Sequence, residues 1–380
     1  MTTVADQAKD YARAAVSRLS RSQTIVMVVA CICALIAIAV LSWIWSTLTM
    51  ESRNCGTLYA MYGKTPPGLT SVDPDGDLAC HAIRDFYVKT AYNCCATGAY
   101  KNDFVSLCAL EDCIRQGVRC LDFEVYSVDD KPVISVSSVD DFNVKGSYNS
   151  IPFADAMKTI ARRAFGGHSN CPNPRDPLII YLRVMSNNRS IYKQMADDLY
   201  GTLEDRLLGK KYSYENHGRN LGSVQLKDLM GKVVVVADKT TAILEGSPLD
   251  EYVNVATRSP FMRISRFHDI KNAPSPDELI EFNKKSMSMC LPDIGSSPDN
   301  RSASLPMAYG CQFVAMAYQD FNQALEHYES VFAKAGTAFV MKPANLRYIP
   351  VYQKNPAPQD QKLSYQTRHI ETPYQNPLPI

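Results

Sequence analysis

The sequence has no dominant sign of charge. Lysine and arginine total 40 against 39 acidic residues, a formal net charge of +1 over 380 residues. With no basic stripe and no binding motif, a nucleic-acid role has no support. No G-x-G-x-x-G or Walker run occurs, so a nucleotide fold has none either. No C-x-x-C motif has a matching second one, which argues against structural zinc. No internal repeat is visible. Histidine is scarce, at six residues, and tryptophan scarcer, at two.

Both tryptophans, Trp43 and Trp45, close an uncharged run from Ile25 to Trp45. That run is long enough to cross a hydrocarbon core, and its tryptophans fall where an interfacial belt would sit. A cleaved signal peptide fits less well, because the leader and the apolar run are both long and no A-x-A site follows. Lys9, Arg13, Arg18 and Arg21 flank the run on one side and only Arg53 on the other. The positive-inside rule then places the N-terminus in the cytoplasm and the rest of the chain outside or in a lumen. The expected organisation is a cytoplasmic segment 1–23, a signal anchor 24–46, an irregular stalk or cap 47–82, a globular domain 83–348 and a Pro-rich extended tail 349–380. Residues Val4–Leu19 could form an amphipathic surface helix, but a partly ordered stub is the reading carried forward.

Ten of the 12 cysteines lie beyond the span. In an extracytoplasmic domain some disulfides are expected, with local bridges between Cys80 and Cys120 as the first place to look. Asn188-Arg189-Ser190 and Asn300-Arg301-Ser302 are glycosylation triplets that agree with this topology.

Within the globular region, apolar strands alternate with helices. Phe86–Ala91, Cys120–Tyr126, Pro132–Val136, Leu178–Val184 (LIIYLRV), Val233–Ala237 (VVVVA), Gln312–Ala317 and Ala338–Met341 read as strands. Tyr252–Thr257 and Phe261–Ser265 are weaker ones. Helices are expected at Phe104–Gln116, Phe153–Phe165, Ile191–Leu208, Pro276–Lys285 and Gln323–Ala335. The alternation argues for a parallel sheet with helical cover, open or closed. The central stretch is Val105–Ser138, a helix ended by Gly117 and followed by two strands. On the first strand Asp122 and Glu124 stand two residues apart and share a face. Such a pair calls for a partner, either a metal or a basic group.

Four stretches carry a resemblance. Thr90-Ala91-Tyr92-Asn93-Cys94-Cys95, Gly117-Val118-Arg119-Cys120, Leu121-Asp122-Phe123-Glu124 and Pro132-Val133-Ile134-Ser135-Val136-Ser137-Ser138 follow one another at family spacing. Pro177–Val184 and Leu229–Val236 continue the pattern. Gly310-Cys311-Gln312-Phe313-Val314-Ala315 and Val340-Met341-Lys342-Pro343, then Leu346-Arg347, close it. Over roughly Leu78–Tyr348 the chain resembles the X/Y catalytic barrel of eukaryotic-type phosphoinositide-specific phospholipase C. The resemblance implies an α/β fold, a distorted TIM-type (β/α)8 barrel preceded by a single transmembrane helix, with its site at the C-terminal ends of the strands. It does not reach the family's accessory modules.

The family's two catalytic histidines fall on Tyr92 and Ser138. Its calcium ligands fall on Asn93, Asp122 and Glu124, with the acids in reversed order, while Arg183 replaces the remaining ligand. Its headgroup positions fall on Val236, Asp238 and Met289, with Lys239 adjacent. His268 follows a strand and is the best substitute histidine, although a solvated loop residue is the plainer reading. His168 sits in a loop before a strand, the wrong end of such a barrel. Two unit charges about 4 Å apart interact by about 4 kcal/mol at an effective dielectric near 20, so a guanidinium at a metal position opposes calcium binding. An internal ion pair of Arg183 with Asp122 and Glu124 is therefore expected in place of the metal. Two functions compete: a membrane-anchored pseudoenzyme whose barrel binds a protein, a glycan or a lipid headgroup or serves a structural role, and a phosphodiesterase with altered chemistry. No cofactor is expected on the first reading, calcium on the second. The location is a cell surface, the secretory pathway or a virion envelope.

Overall fold

The computed structural model describes residues 4–17, 21–166, 170–240, 243–350, 363, 369–373 and 375–379. His168 lies outside them. Eight parallel strands form the barrel: β1 (Phe86–Ala91), β2 (Cys120–Val128), β5 (Leu178–Val184), β6 (Val233–Ala237), β7 (Val255–Ala256), β8 (Met262–Arg266), β9 (Met287–Leu291) and β10 (Phe313–Met316). Their order is β7-β6-β5-β2-β1-β10-β9-β8. The ring is nearly closed, and no ladder joins β7 to β8 among the described residues. The antiparallel β3 (Lys131–Ser135) pairs with β2, β4 (Ile151–Pro152) pairs with β3, and β11 (Phe339–Met341) pairs with β1.

The strands form where β-branched and aromatic residues are covered on both faces. All seven residues of β5 and all five of β6 are buried. Helix Phe153–Ala164 places Phe153, Ala156, Met157, Ile160 and Ala164 on one buried stripe. Helix Leu107–Arg115 ends where Gly117 takes φ +77°, and an added Cβ there would lie 2.1 Å from Leu69.

Several expectations change. Residues 47–82 are not all irregular, since Met50–Tyr62 is a helix that buries Leu58 and Tyr62. Val4–Ser17 is helical rather than a partly ordered stub. The described part of the tail contains an antiparallel pair, His369–Thr372 with Gln375–Pro379, instead of a plain extended chain. Strand β9 (MSMCL) lacked β-branched residues and was not expected. The disulfide is Cys55–Cys108, reaching outside the Cys80–Cys120 segment, with Cys94, Cys95, Cys113 and Cys120 buried as free thiols. Asn300 is buried, and its Nδ2 donates to the carbonyls of Ala317 and Asp320, each at 2.8 Å, so this triplet does not present a free acceptor amide. Helix Arg21–Leu48 contains the apolar span, with Gln23–Leu48 long and apolar enough to cross a membrane.

Candidate functional site

Parallel pairing sets Glu124 beside Arg183 and Asp122 beside Tyr181. Alternation along each strand then turns Asp122, Glu124 and Arg183 to one face, near the C-terminal ends of the strands. Asn93 follows β1 in a left-handed conformation, φ 43°. All four side chains are at least nine-tenths buried.

The Arg183 guanidinium is their common centre. Its Nε and Nη2 donate to the two oxygens of Asp122, at 2.8 and 2.7 Å, in a bidentate fork. Its Nη1 donates to Glu124 Oε1 at 2.7 Å, and Nη2 also donates to Asn93 Oδ1 at 2.9 Å. The expected ion pair is thus formed. The remaining acceptor capacity is taken up nearby. Asn93 N donates to Asp122 Oδ2 and Asn93 Nδ2 to Glu124 Oε1, at 2.9 and 3.1 Å. Tyr126 OH and Ser137 N each donate to Glu124 Oε2 at 2.9 Å. Burial alone would discharge Arg183, but Asp122, Tyr92 and Glu124 outweigh it and hold the guanidinium above its already high range.

A cation at the position between Asn93, Asp122 and Glu124 would have to displace this guanidinium. The donor set points its lone pairs at N–H groups, so the residues present do not fit calcium. No cluster of three or more His, Cys, Asp or Glu suited to a metal occurs elsewhere among the described residues.

Tyr92 lies under the cluster, with the Arg183 guanidinium carbon 4.9 Å from its ring centre. Its hydroxyl accepts from Arg266 Nη1 at 3.2 Å. Burial pushes the phenol up against the opposing pull of Arg183, so it stays neutral near pH 7. Ser138, the other family histidine position, is half-buried just beyond β3. The space over Tyr92, Glu124 and Ser137 is about 10 Å³. That is room for about one water molecule.

A larger cavity of about 320 Å³ adjoins it, lined by Arg183, Asp238, Arg258, Arg266, Asp140 and Asp269 among others. Of the headgroup positions, Asp238 reaches this cavity. It accepts from the hydroxyls of Thr240 and Thr257 at 2.6 and 3.0 Å, with Arg258 Nε 3.9 Å away. Lys239 instead pairs with Glu215 Oε1 at 2.9 Å. Val236 and Met289 are buried in their strands and offer no polar atom. The structure therefore brings together Tyr92, Asn93, Asp122, Glu124 and Arg183, and leaves Lys239, Val236 and Met289 out of the cluster.

Arg266 and Asp140 were missed in the sequence. Arg266 Nη2 meets Asp140 Oδ2 at 3.3 Å, and Arg266 Nη1 donates to Pro292 O at 2.9 Å. The available signal was position, since Arg266 ends a barrel strand on the face where sites form. His268 follows it. Its Nδ1 lies 2.7 Å from Asp293 Oδ1 and its Nε2 3.1 Å from Asp269 Oδ1. The Asp293 hydrogen bond, with Asp269 nearby, raises its pKa above the usual imidazole value.

The comparisons agree with this architecture. Residues 80–239 match the family model of the phosphatidylinositol-specific phospholipase C X domain. PLC21 of S. officinalis is 16% identical with a TM-score of 0.58, and PLC21 of L. pealei is 17% identical with a TM-score of 0.59. Each match covers 73% of this chain and 39% of that one, so the chain spans about two-fifths of the length of those proteins. A calcium-dependent phosphoinositol-specific phospholipase C from Pseudomonas sp. is 12% identical with a TM-score of 0.46, over 73% of this chain and 99% of that one. At these identities the feature shared with the two PLC21 proteins is the fold. No curated protein matches the chain.

Proposed function

We propose that this phospholipase C-type barrel is a membrane-anchored pseudoenzyme, kept as a rigid binding or structural ectodomain rather than as a phosphodiesterase. One observation carries the reading: Arg183 sits bidentate on Asp122 and reaches Glu124 and Asn93, filling the position where the family resemblance implies calcium. The family resemblance also implies two histidines, one stabilising the transition state and one beside it as an acid/base partner. Here those positions hold a neutral, buried phenol at Tyr92 and a hydroxyl at Ser138. No metal is assigned to the site.

Helix Arg21–Leu48 would be the anchor, and the Cys55–Cys108 bridge fits a barrel on the oxidising, extracytoplasmic side. The competing reading, a phosphodiesterase with altered chemistry, draws on His268, an exposed imidazole held between Asp269 and Asp293 beside Arg266.

The test is the full-length protein in vesicles containing phosphatidylinositol and its phosphates, with and without calcium. The expected result is no release of inositol phosphate above the protein-free vesicles under either condition. Calcium-dependent release would overturn the reading. Calcium-independent release that disappears in His268→Ala would establish the competing one.

A further inference from the structure

The floor of the barrel, at the starts of β5 and β6, carries a positive patch that the Arg183 site does not use. Arg175 precedes β5 and Lys232 precedes β6. Arg206 lies at the same level, since Val233 N donates to Arg206 O at 2.7 Å, and Gly231 N donates to Arg175 O at 2.7 Å. Arg162 and Arg163 stand in the last turn of helix Phe153–Ala164. Phe165, just past that helix, joins the two groups, with the Arg206 guanidinium carbon 5.2 Å from its ring centre.

These cations are held in place without being neutralised. Arg206 Nη1 donates to Gly231 O at 3.4 Å and Lys232 Nζ to Asp205 O at 3.0 Å, and both acceptors are main-chain carbonyls. Among the described residues, no carboxylate lies within 4 Å of the charged groups of Arg175, Arg206 or Lys232. Arg162 and Arg163 share one acid, Glu111, at 3.2 and 3.1 Å. Asp176, next to Arg175, is buried and turned inward, where it accepts from Val72 N at 2.8 Å and Asn173 Nδ2 at 3.2 Å. Five exposed or half-buried cations thus stand against two surface carboxylates, Glu111 and Asp205, in a chain whose formal net charge is only +1. The excess of positive charge belongs to this end of the barrel and not to the molecule as a whole.

We propose that this floor patch binds a sulfated polysaccharide. Four of its five cations are arginines, whose planar fork meets an oxyanion such as sulfate with two parallel hydrogen bonds. The patch offers no ring on which a nucleic-acid base could stack, because Phe165 is only 9% exposed and is covered by Arg206. The choice of a sulfated glycan rests on the extracytoplasmic placement of the barrel proposed above, where such glycans are the polyanions within reach. The patch lies at the opposite end of the barrel from Arg183, so its binding does not depend on what the mouth retains of phosphodiester chemistry.

Fluorescence polarisation of a labelled heparin octasaccharide tests this, with the full chain in nonionic detergent micelles at near-physiological salt. Wild type should bind. Arg175→Gln, Arg206→Gln and Lys232→Gln together should weaken binding by about tenfold, as expected for three exposed ion pairs lost at once. The exposed pair Arg175→Gln, Arg206→Gln should give a smaller loss of about threefold, and it carries the test if half-buried Lys232 proves necessary for folding. Lys101→Gln, Lys131→Gln and Lys271→Gln, which remove three exposed cations on the mouth side, should leave binding unchanged. Removing the sulfates while keeping the carboxylates of the sugar should abolish it. No binding by wild type, an equal loss in the mouth-side variant, or equal affinity for the desulfated sugar would overturn the proposal. So would single-stranded DNA of matched charge that binds as tightly and is weakened by the same floor variants. None of these readouts involves release of inositol phosphate, so this proposal and the pseudoenzyme reading can fail separately.

Discussion

Two buried cations at the floor of the barrel and one at its mouth are met by different groups. At the floor, Lys342 Nζ donates to the carbonyls of Asn283 and Gly310, at 2.9 and 3.2 Å. Arg119, fully buried before β2, likewise donates to the carbonyls of Ala164 and Asn173. At the mouth, Arg183 meets two carboxylates and an amide oxygen. The consequences are opposite in sign. Burial pushes Lys342 down to about 8, against a weaker pull from Asp85, whereas Arg183 is held above its ordinary range despite complete burial. Carbonyl dipoles can solvate a buried cation, but matching it takes full opposite charge. The mouth cation closes an acidic cluster that would otherwise call for an external partner.

The largest effect should come from breaking the mouth cluster. Arg183→Met leaves two buried carboxylates with only neutral donors, and should cost about 3–5 kcal/mol in urea unfolding. Adding Asp122→Asn and Glu124→Gln to it should recover most of that loss, because neutral groups of similar shape no longer need a cation. Failure of the triple variant to recover would mean that Arg183 acts mainly through packing.

At the floor the response should be smaller and dependent on pH. Between about 8 and about 10.5, Lys342 is neutral in the native chain but still protonated in the unfolded one. The unfolded state binds more protons there, so native stability rises with pH across that window and is level on either side. Lys342→Met should flatten a rise of about 3 kcal/mol, read from denaturant curves at several pH values. An equal rise in the variant would assign it to other groups.

The smallest effect belongs to the ring that lines the mouth. Tyr92→Phe keeps the face under Arg183 and removes the hydroxyl that accepts from Arg266. A loss of about 1 kcal/mol in thermal unfolding is expected. A loss as large as that of Arg183→Met would show that Tyr92 holds the cluster together.

Most of the strands were legible in the sequence, because runs such as LIIYLRV and VVVVA can be buried on both faces only in a covered parallel sheet. The core of the site was legible for a related reason. Asp122 and Glu124 share a strand face, and Arg183 lies on a strand that the family order sets beside them. Strand β9 escaped because Met, Ser and Cys carry little strand preference, and only its neighbours β8 and β10 impose the extended form. Helix Met50–Tyr62 escaped because Gly56 and Asn54 argue locally against it, while the bridge at Cys55 and the burial of Leu58 and Tyr62 hold it. Arg266 and Asp140 come from loops and strand ends far apart in the chain, so no local spacing marks their contact with each other or with Tyr92.

Calcium-dependent thermal unfolding of wild type and of Arg183→Glu tests the central claim most directly. If Arg183 stands where a cation would, the wild-type midpoint should not move with calcium. The variant, with three carboxylates and Asn93 around the same point, should start less stable and rise as calcium is added. A wild-type midpoint that climbs with calcium, and a variant that gains no more, would contradict the account.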